Sequence, residues 1–213
     1  MDAGKCSLDE RYSLKSSDKR PGTGILRRLD EGAVLTVKDL LTLMIIVSDN
    51  TATDVIFEKV GGIEPVNALM RSYGLSTIQA TGTADVWFKA LAAAPNPAEF
   101  HNQRKTPYGL SSPRDMGKLL EKIALGQAVS KRASDQMVEM MNGQIYRTRI
   151  PKYVDGFQTP HKTGDFVPFI VNDAGLLISP QRRVVISVFT DKKNLSGNIS
   201  TTLVGPYIED AIG

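Results

Sequence analysis

A chain of 213 residues, 41% hydrophobic and 23% charged, has the composition of a globular protein with a sizeable core. Its net charge of +3 comes from scattered pairs such as Lys19-Arg20, Arg27-Arg28, Lys131-Arg132 and Arg182-Arg183, which excludes a basic nucleic-acid groove as the organising feature. A single cysteine, Cys6, excludes an internal disulfide, and two histidines sixty positions apart, His101 and His161, argue against a metal centre or other cofactor. Both histidines read as surface or pocket residues. No stretch is long and apolar enough to span a bilayer, and the first ten residues carry no apolar signal core.

Residues 1–24 read as the tail of a helix followed by a loop, with Gly4 as a stop and Pro21-Gly22-Thr23-Gly24 as a breaker cluster. Thr36 caps a helix, acidic in its first turn at Asp39, that runs to about Val47. Its apolar run, Leu40 to Val47, predicts a helix buried on all sides. Ser48-Asp49-Asn50 follows, and then a second helix that stops at Gly61-Gly62. A third runs from about Pro65 to Ser72, with Gly74 as its stop. Three polar residues linking two apolar helices deliver side chains whose hydrogen bonds must be met, although Ser, Asp and Asn are also ordinary caps and turn formers.

Residues 75–110 are the least regular, with one helical piece from Ala84 to Ala94 anchored by Trp87 and Phe88. Ser112-Pro113 opens a helix that closes at Gly126, and Ser130 caps another that ends near Gly143, with Met137, Met140 and Met141 on its core stripe. Then the period changes. Phe157–Thr163, Val171–Ser179 and Arg183–Thr190 read as strands, with a hairpin at Pro180-Gln181-Arg182, and a helix from about Ser200 to Ile212 closes the chain. The order predicts an α+β fold: a mainly helical part over about 25–145 and a sheet part over about 155–213, within one domain.

His161-Lys162-Thr163-Gly164-Asp165 ends the first of these strands. A lysine beside a hydroxyl suits a carboxylate, and Gly164 removes a side chain where a ligand could lie close. An adjacent strand edge could pair with an extended acyl-peptide. Alone, the stretch also reads as a strand end with a glycine bulge.

Together and in this order, Ser48-Asp49-Asn50 and Lys162-Thr163-Gly164 resemble the Ser-Asp-Asn and Lys-Thr-Gly motifs of class A β-lactamases and penicillin-binding proteins. Gly22-Thr23-Gly24, Gly61-Gly62 and Ser111-Ser112-Pro113-Arg114-Asp115-Met116 extend the resemblance over nearly the whole chain. It implies a β-lactamase/transpeptidase-like fold and hydrolysis of a β-lactam amide through an acyl-enzyme. Ser48 would pass a proton to the departing nitrogen, bridging to Lys162. Asn50 would bind the acylamido carbonyl, Lys162 and Thr163 the substrate carboxylate, and the Asp165 backbone N–H would form half of an oxyanion hole. Asp49 would be structural, tying down nearby backbone. A small β-lactam or acyl-peptide substrate, a monomer, no nucleic acid, and a periplasmic or secreted parent protein are the further implications.

Two departures qualify the resemblance. The family's Ser-x-x-Lys nucleophile box lies roughly sixty residues ahead of Ser-Asp-Asn, a position before Met1. The sequence contains one Ser-x-x-Lys string, Ser16-Ser17-Asp18-Lys19, only 32 residues ahead of Ser48 and followed by Arg20-Pro21, where a helix is disfavoured. It reads as a decoy. The expectation is therefore a chain without its nucleophile, its general-base lysine or the preceding strands, and so without turnover. Nor does a Glu-x-x-Leu-Asn string, which would activate the deacylating water, occur between Gly74 and Pro113; Glu99-Phe100-His101-Asn102 is the nearest. A non-catalytic penicillin-binding module, a D-alanyl-D-alanine carboxypeptidase or esterase-like relative, and a structural remnant are the alternatives. Asp165 is unaccounted for: it sets a carboxylate beside a site for anions.

Overall fold

The computed structural model describes residues 7–103 and 108–191. It divides into two compact units, one ending at Ser111 and the other beginning at Ser112. Helices from Pro113 onward group with the strands in the second unit. The helix expected over about 200–212, Gly4 and Cys6 lie outside the described residues.

In the first unit, β1 (Arg11–Ser13) pairs antiparallel with β2 (Val34–Thr36), with Tyr12 opposite Leu35. Neither strand was read from the sequence, because three residues are too few to display a period. Thr36 then caps α1 (Val37–Ile46), its hydroxyl accepting the Asp39 N–H while the Asp39 carboxylate accepts the Thr36 N–H. Helices α2 (Asn50–Lys59), α3 (Ile63–Ser72), α4 (Ala84–Ala93) and α5 (Pro97–Gln103) follow, with β3 (Gln79–Ala80) pairing antiparallel with β4 (Gly109–Leu110). Leu26, Leu40, Ala52 and Val55 form the core, flanked by Tyr12, Leu35, Leu43, Met44 and Ile56.

Helix α1 departs from the expectation of burial all round. Val37 and Leu40 are buried, but Leu41 and Leu43 to Val47 are only half-buried. An apolar run follows from packing on one flank with partial cover on the others, and composition cannot separate that from full enclosure. Trp87 is also half-buried, edge-on to Phe88 and Phe100 with ring centroids 4.9 and 5.4 Å away.

The second unit places α6 (Pro113–Ala124) and α7 (Lys131–Asn142) with a three-stranded antiparallel sheet of order β5-β6-β7. Its strands are β5 (His161–Phe166), β6 (Ile170–Ile178) and β7 (Arg183–Val188). Ser112 and Ser130 cap the two helices as expected, accepting the Asp115 and Ala133 N–H groups. Ile150, Val154, Leu177 and Ile186 are the buried core. Strand β5 begins four residues later than predicted and runs past the lysine motif to Phe166. Pro160 has no N–H to give a ladder, although its carbonyl accepts from Leu176, and only an isolated bridge joins Gln158 to Ile178 ahead of it. No described helix is long and apolar enough to cross a membrane.

Candidate functional site

The first cluster is built at the α1–α2 junction. Backbone bonds from Val47 and Asp49 to the Leu43 carbonyl close α1, and Ser48 between them takes a left-handed backbone, φ +54°. A non-glycine residue there costs free energy that the surroundings must supply. The supply is visible on both sides of Ser48. The Thr23 hydroxyl donates to the Ser48 carbonyl at 2.7 Å, and Asp49, 1% exposed, is held by three backbone donors. One carboxylate oxygen accepts from Ile25 (2.6 Å) and Leu26 (2.9 Å), the other from Ala52 (3.0 Å), capping α2.

Asn50 completes the junction. Its backbone N–H donates to the Thr23 carbonyl at 3.2 Å and its side-chain amide to the Pro21 carbonyl at 2.9 Å, leaving the amide oxygen without a partner among the described residues. The Pro21–Gly24 loop can lie this close because its glycines lack a side chain. A Cβ on Gly22 (φ +86°) would stand 2.5 Å from the Asn50 amide nitrogen and from Phe88, and one on Gly24 (φ +103°) 2.3 Å from the Asp49 carboxylate. Behind it, Arg20 pairs with Asp54 at 2.6 Å, and Asp54 also accepts the Ala84 and Asp85 N–H groups that open α4. One buried carboxylate thus ties the loop, α2 and α4 together.

Ser16, by contrast, is exposed on a single 3-10 turn, Ser16–Asp18, and its hydroxyl donates to Glu31 at 2.8 Å. Lys19 is already extended, so Ser16 and Lys19 share no α-helical face. Glu99 is exposed in the first turn of α5.

The second cluster lies on β5. Lys162 stands opposite Ala174, Thr163 opposite Asp173, Gly164 opposite Asn172 and Asp165 opposite Val171. Lys162 is half-buried and its ammonium donates to the Thr163 carbonyl at 2.6 Å. Desolvation brings its pKa down to about 8; the Asp165 and Asp173 carboxylates oppose that shift and the Arg149 charge adds to it. Thr163 is 4% exposed. A Cβ on Gly164 would meet only the Asn172 Cβ, at 3.8 Å, so packing within the chain does not demand glycine there.

Two residues of this cluster, Asp173 and Arg149, escaped the sequence reading. His161 is fully buried, which corrects its assignment to a surface or pocket. Its Nδ1 lies 2.9 Å from the Asp173 carboxylate, whose other oxygen accepts the Ile150 N–H at 3.1 Å. His101, on α5 of the first unit and no part of this cluster, is also buried, at 8% exposure. Arg149 donates one nitrogen to the Asn172 carbonyl at 2.5 Å and another to the Asp165 carboxylate, while its Nε is buried without a partner among the described residues. One signal was readable: Asp173 interrupts an apolar strand, and a buried carboxylate requires a partner. Arg149, 16 residues before Asp165, left none. No group of three or more His, Cys, Asp or Glu side chains that could hold a metal ion occurs among the described residues.

The model of the beta-lactamase enzyme family matches residues 1–206. The chain belongs to that family. It is 24% identical over 205 residues to "Beta-lactamase 3" of Bacillus cereus, covering 93% of this chain but only 60% of that relative's length. The crystal structure of a β-lactamase from Sphaerobacter thermophilus superposes with a TM-score of 0.83 at 30% identity, over 99% of this chain and 74% of the other. A mutant of PBP-A, solved as an acyl-enzyme complex with penicillin G, gives 0.78 at 25% identity, over 99% and 74%. The fold is therefore the β-lactamase/transpeptidase-like one, with helices and an antiparallel sheet.

Proposed function

We propose that this chain carries the proton-relay and carboxylate-holding parts of a serine hydrolase that opens a β-lactam amide through an acyl-enzyme. Ser48 serves as the relay to the departing nitrogen and acts with Lys162, Asn50 binds the acylamido carbonyl, and Asp49 fixes the backbone that carries both. Lys162 and Thr163 hold the substrate carboxylate, Gly164 leaves room for the bound ligand, and the Asp165 N–H is half of the oxyanion hole, a donor worth about 3 kcal/mol of barrier. A periplasmic or secreted setting belongs to the same reading.

The observation that carries it is the backbone of Ser48. A left-handed serine clamped from both sides presents its hydroxyl on a fixed frame, as a proton relay requires. The acyl-enzyme of the PBP-A neighbour supports a penicillin as ligand. Ser16 does not serve as nucleophile in this reading, so residues 1–213 bind β-lactams without turning them over. A carboxypeptidase-like or purely binding relative is the second reading, favoured by the lack of a Glu-x-x-Leu-Asn string between Gly74 and Pro113.

The test combines turnover, adduct mass and binding. The 213-residue chain is expected to hydrolyse no chromogenic cephalosporin and to gain no mass with benzylpenicillin, yet to bind benzylpenicillin saturably, with binding lost in Lys162→Met. No saturable binding, or binding indifferent to Lys162→Met, sinks the reading. Hydrolysis that Ser16→Ala abolishes shows instead that Ser16 is the nucleophile.

A further inference from the structure

Strand β5 would offer a strongly positive corner if Lys162 and Arg149 both faced a ligand unpaired. They do not. The guanidinium of Arg149, a residue 6% exposed, is bound to the Asp165 carboxylate and to the Asn172 carbonyl. Asp165 is on the outside of this pair, its side chain 38% exposed against 8% for Arg149, and only one of its carboxylate oxygens is engaged. Asp173, the other carboxylate of the group, is enclosed and committed to His161 and the Ile150 N–H. Two cations and two carboxylates therefore cancel formally, and the exposed member of the compensating set is Asp165.

We propose that Asp165 determines the charge selectivity of this corner: by neutralising Arg149 and facing solvent beside the lysine motif, it favours acyl donors with little net negative charge over strongly anionic ones. This deepens the reading of Lys162 and Thr163 as the carboxylate-holding pair and rests on it. The carboxylate that the sequence left unexplained thereby acquires a role. It lowers affinity for the very group Lys162 attracts, and so discriminates between ligands by charge at small cost to neutral ones. A pair serving only to brace β5 against the segment containing Arg149 would show no such discrimination.

The experiment measures dissociation constants of benzylpenicillin, a monoanion, and of its neutral methyl ester on the 213-residue chain. Wild type, Asp165→Asn and the double variant Arg149→Gln/Asp165→Asn are compared. Asp165→Asn keeps an acceptor for Arg149 and leaves the backbone N–H untouched; Asp165→Ser takes its place if the Asn variant does not fold. The anion is expected to bind roughly tenfold tighter to the single variant, with the ester changed by less than about twofold. The double variant, neutral again, is expected to return to the wild-type ratio. Binding of both probes with an anion-to-ester ratio unmoved in the single variant overturns this inference alone. Failure of wild type and variants to bind either probe overturns the carboxylate-holding reading and this inference with it.

Discussion

Replacing Asp49 by alanine removes the one acceptor shared by three backbone donors. The Ala52 bond is a helix cap, whose loss costs about 1 kcal/mol. The buried Leu26 N–H is left unsatisfied, at about 1–3 kcal/mol, and the part-buried Ile25 N–H loses its acceptor at about 1 kcal/mol. Because the three bonds share one side chain, their costs are not independent, and about 3–5 kcal/mol is the expected total. That is a large share of a small domain's stability, about 5–15 kcal/mol. Asp49→Asn keeps the shape but turns one acceptor oxygen into a donor, so it faces at least one N–H with another and is expected to cost about 1–3 kcal/mol. Urea unfolding followed by tryptophan fluorescence is the assay, since Trp87 is the lone tryptophan and sits in the first unit. A loss below about 1 kcal/mol in Asp49→Ala would refute the claim that this carboxylate organises the junction.

Two further outcomes follow from the same geometry. Gly24→Ala must place a Cβ 2.3 Å from the Asp49 carboxylate at φ +103°, and is expected to destabilise the first unit by several kcal/mol, seen as a lowered urea midpoint; a midpoint within error of wild type would contradict it. For Lys162, the folded ammonium loses its proton near pH 8 and an ordinary one near 10.5, so the unfolded chain binds more protons between those values. Stability attributable to Lys162 therefore climbs across that window, and below about pH 8 the desolvated charge exerts its full penalty, on the order of 3 kcal/mol. Thermal melts of wild type and Lys162→Met should diverge most at pH 7, with the variant more stable, and converge by pH 10.5. Parallel curves would show that the lysine is not desolvated.

How much was readable from residues alone depended on how local the cause was. Caps announce themselves: Thr36, Ser112 and Ser130 each open the helix that their side chains predict. The two motifs were legible because each is three consecutive residues. What joins Ser48-Asp49-Asn50 to its support was not, since Asp49 reaches back to Ile25 and Leu26, and Asn50 to Pro21, more than twenty residues away. Strand β5 is expected from Phe157 only if Pro160 is passed over, whereas Pro160 breaks the ladder and the strand begins at His161. Asp165 looked anomalous for the same reason that Arg149 was invisible: an ion pair between a loop and a strand has no period or spacing to betray it.

The central claim is that two stretches more than a hundred residues apart in sequence serve one ligand. Titrating benzylpenicillin into isotope-labelled protein and following backbone amide resonances tests it directly. The amides of Ser48–Asn50 and Lys162–Asp165 are expected to shift together along one saturation curve, with a single dissociation constant. Shifts confined to one stretch, or two curves with different midpoints, would contradict it.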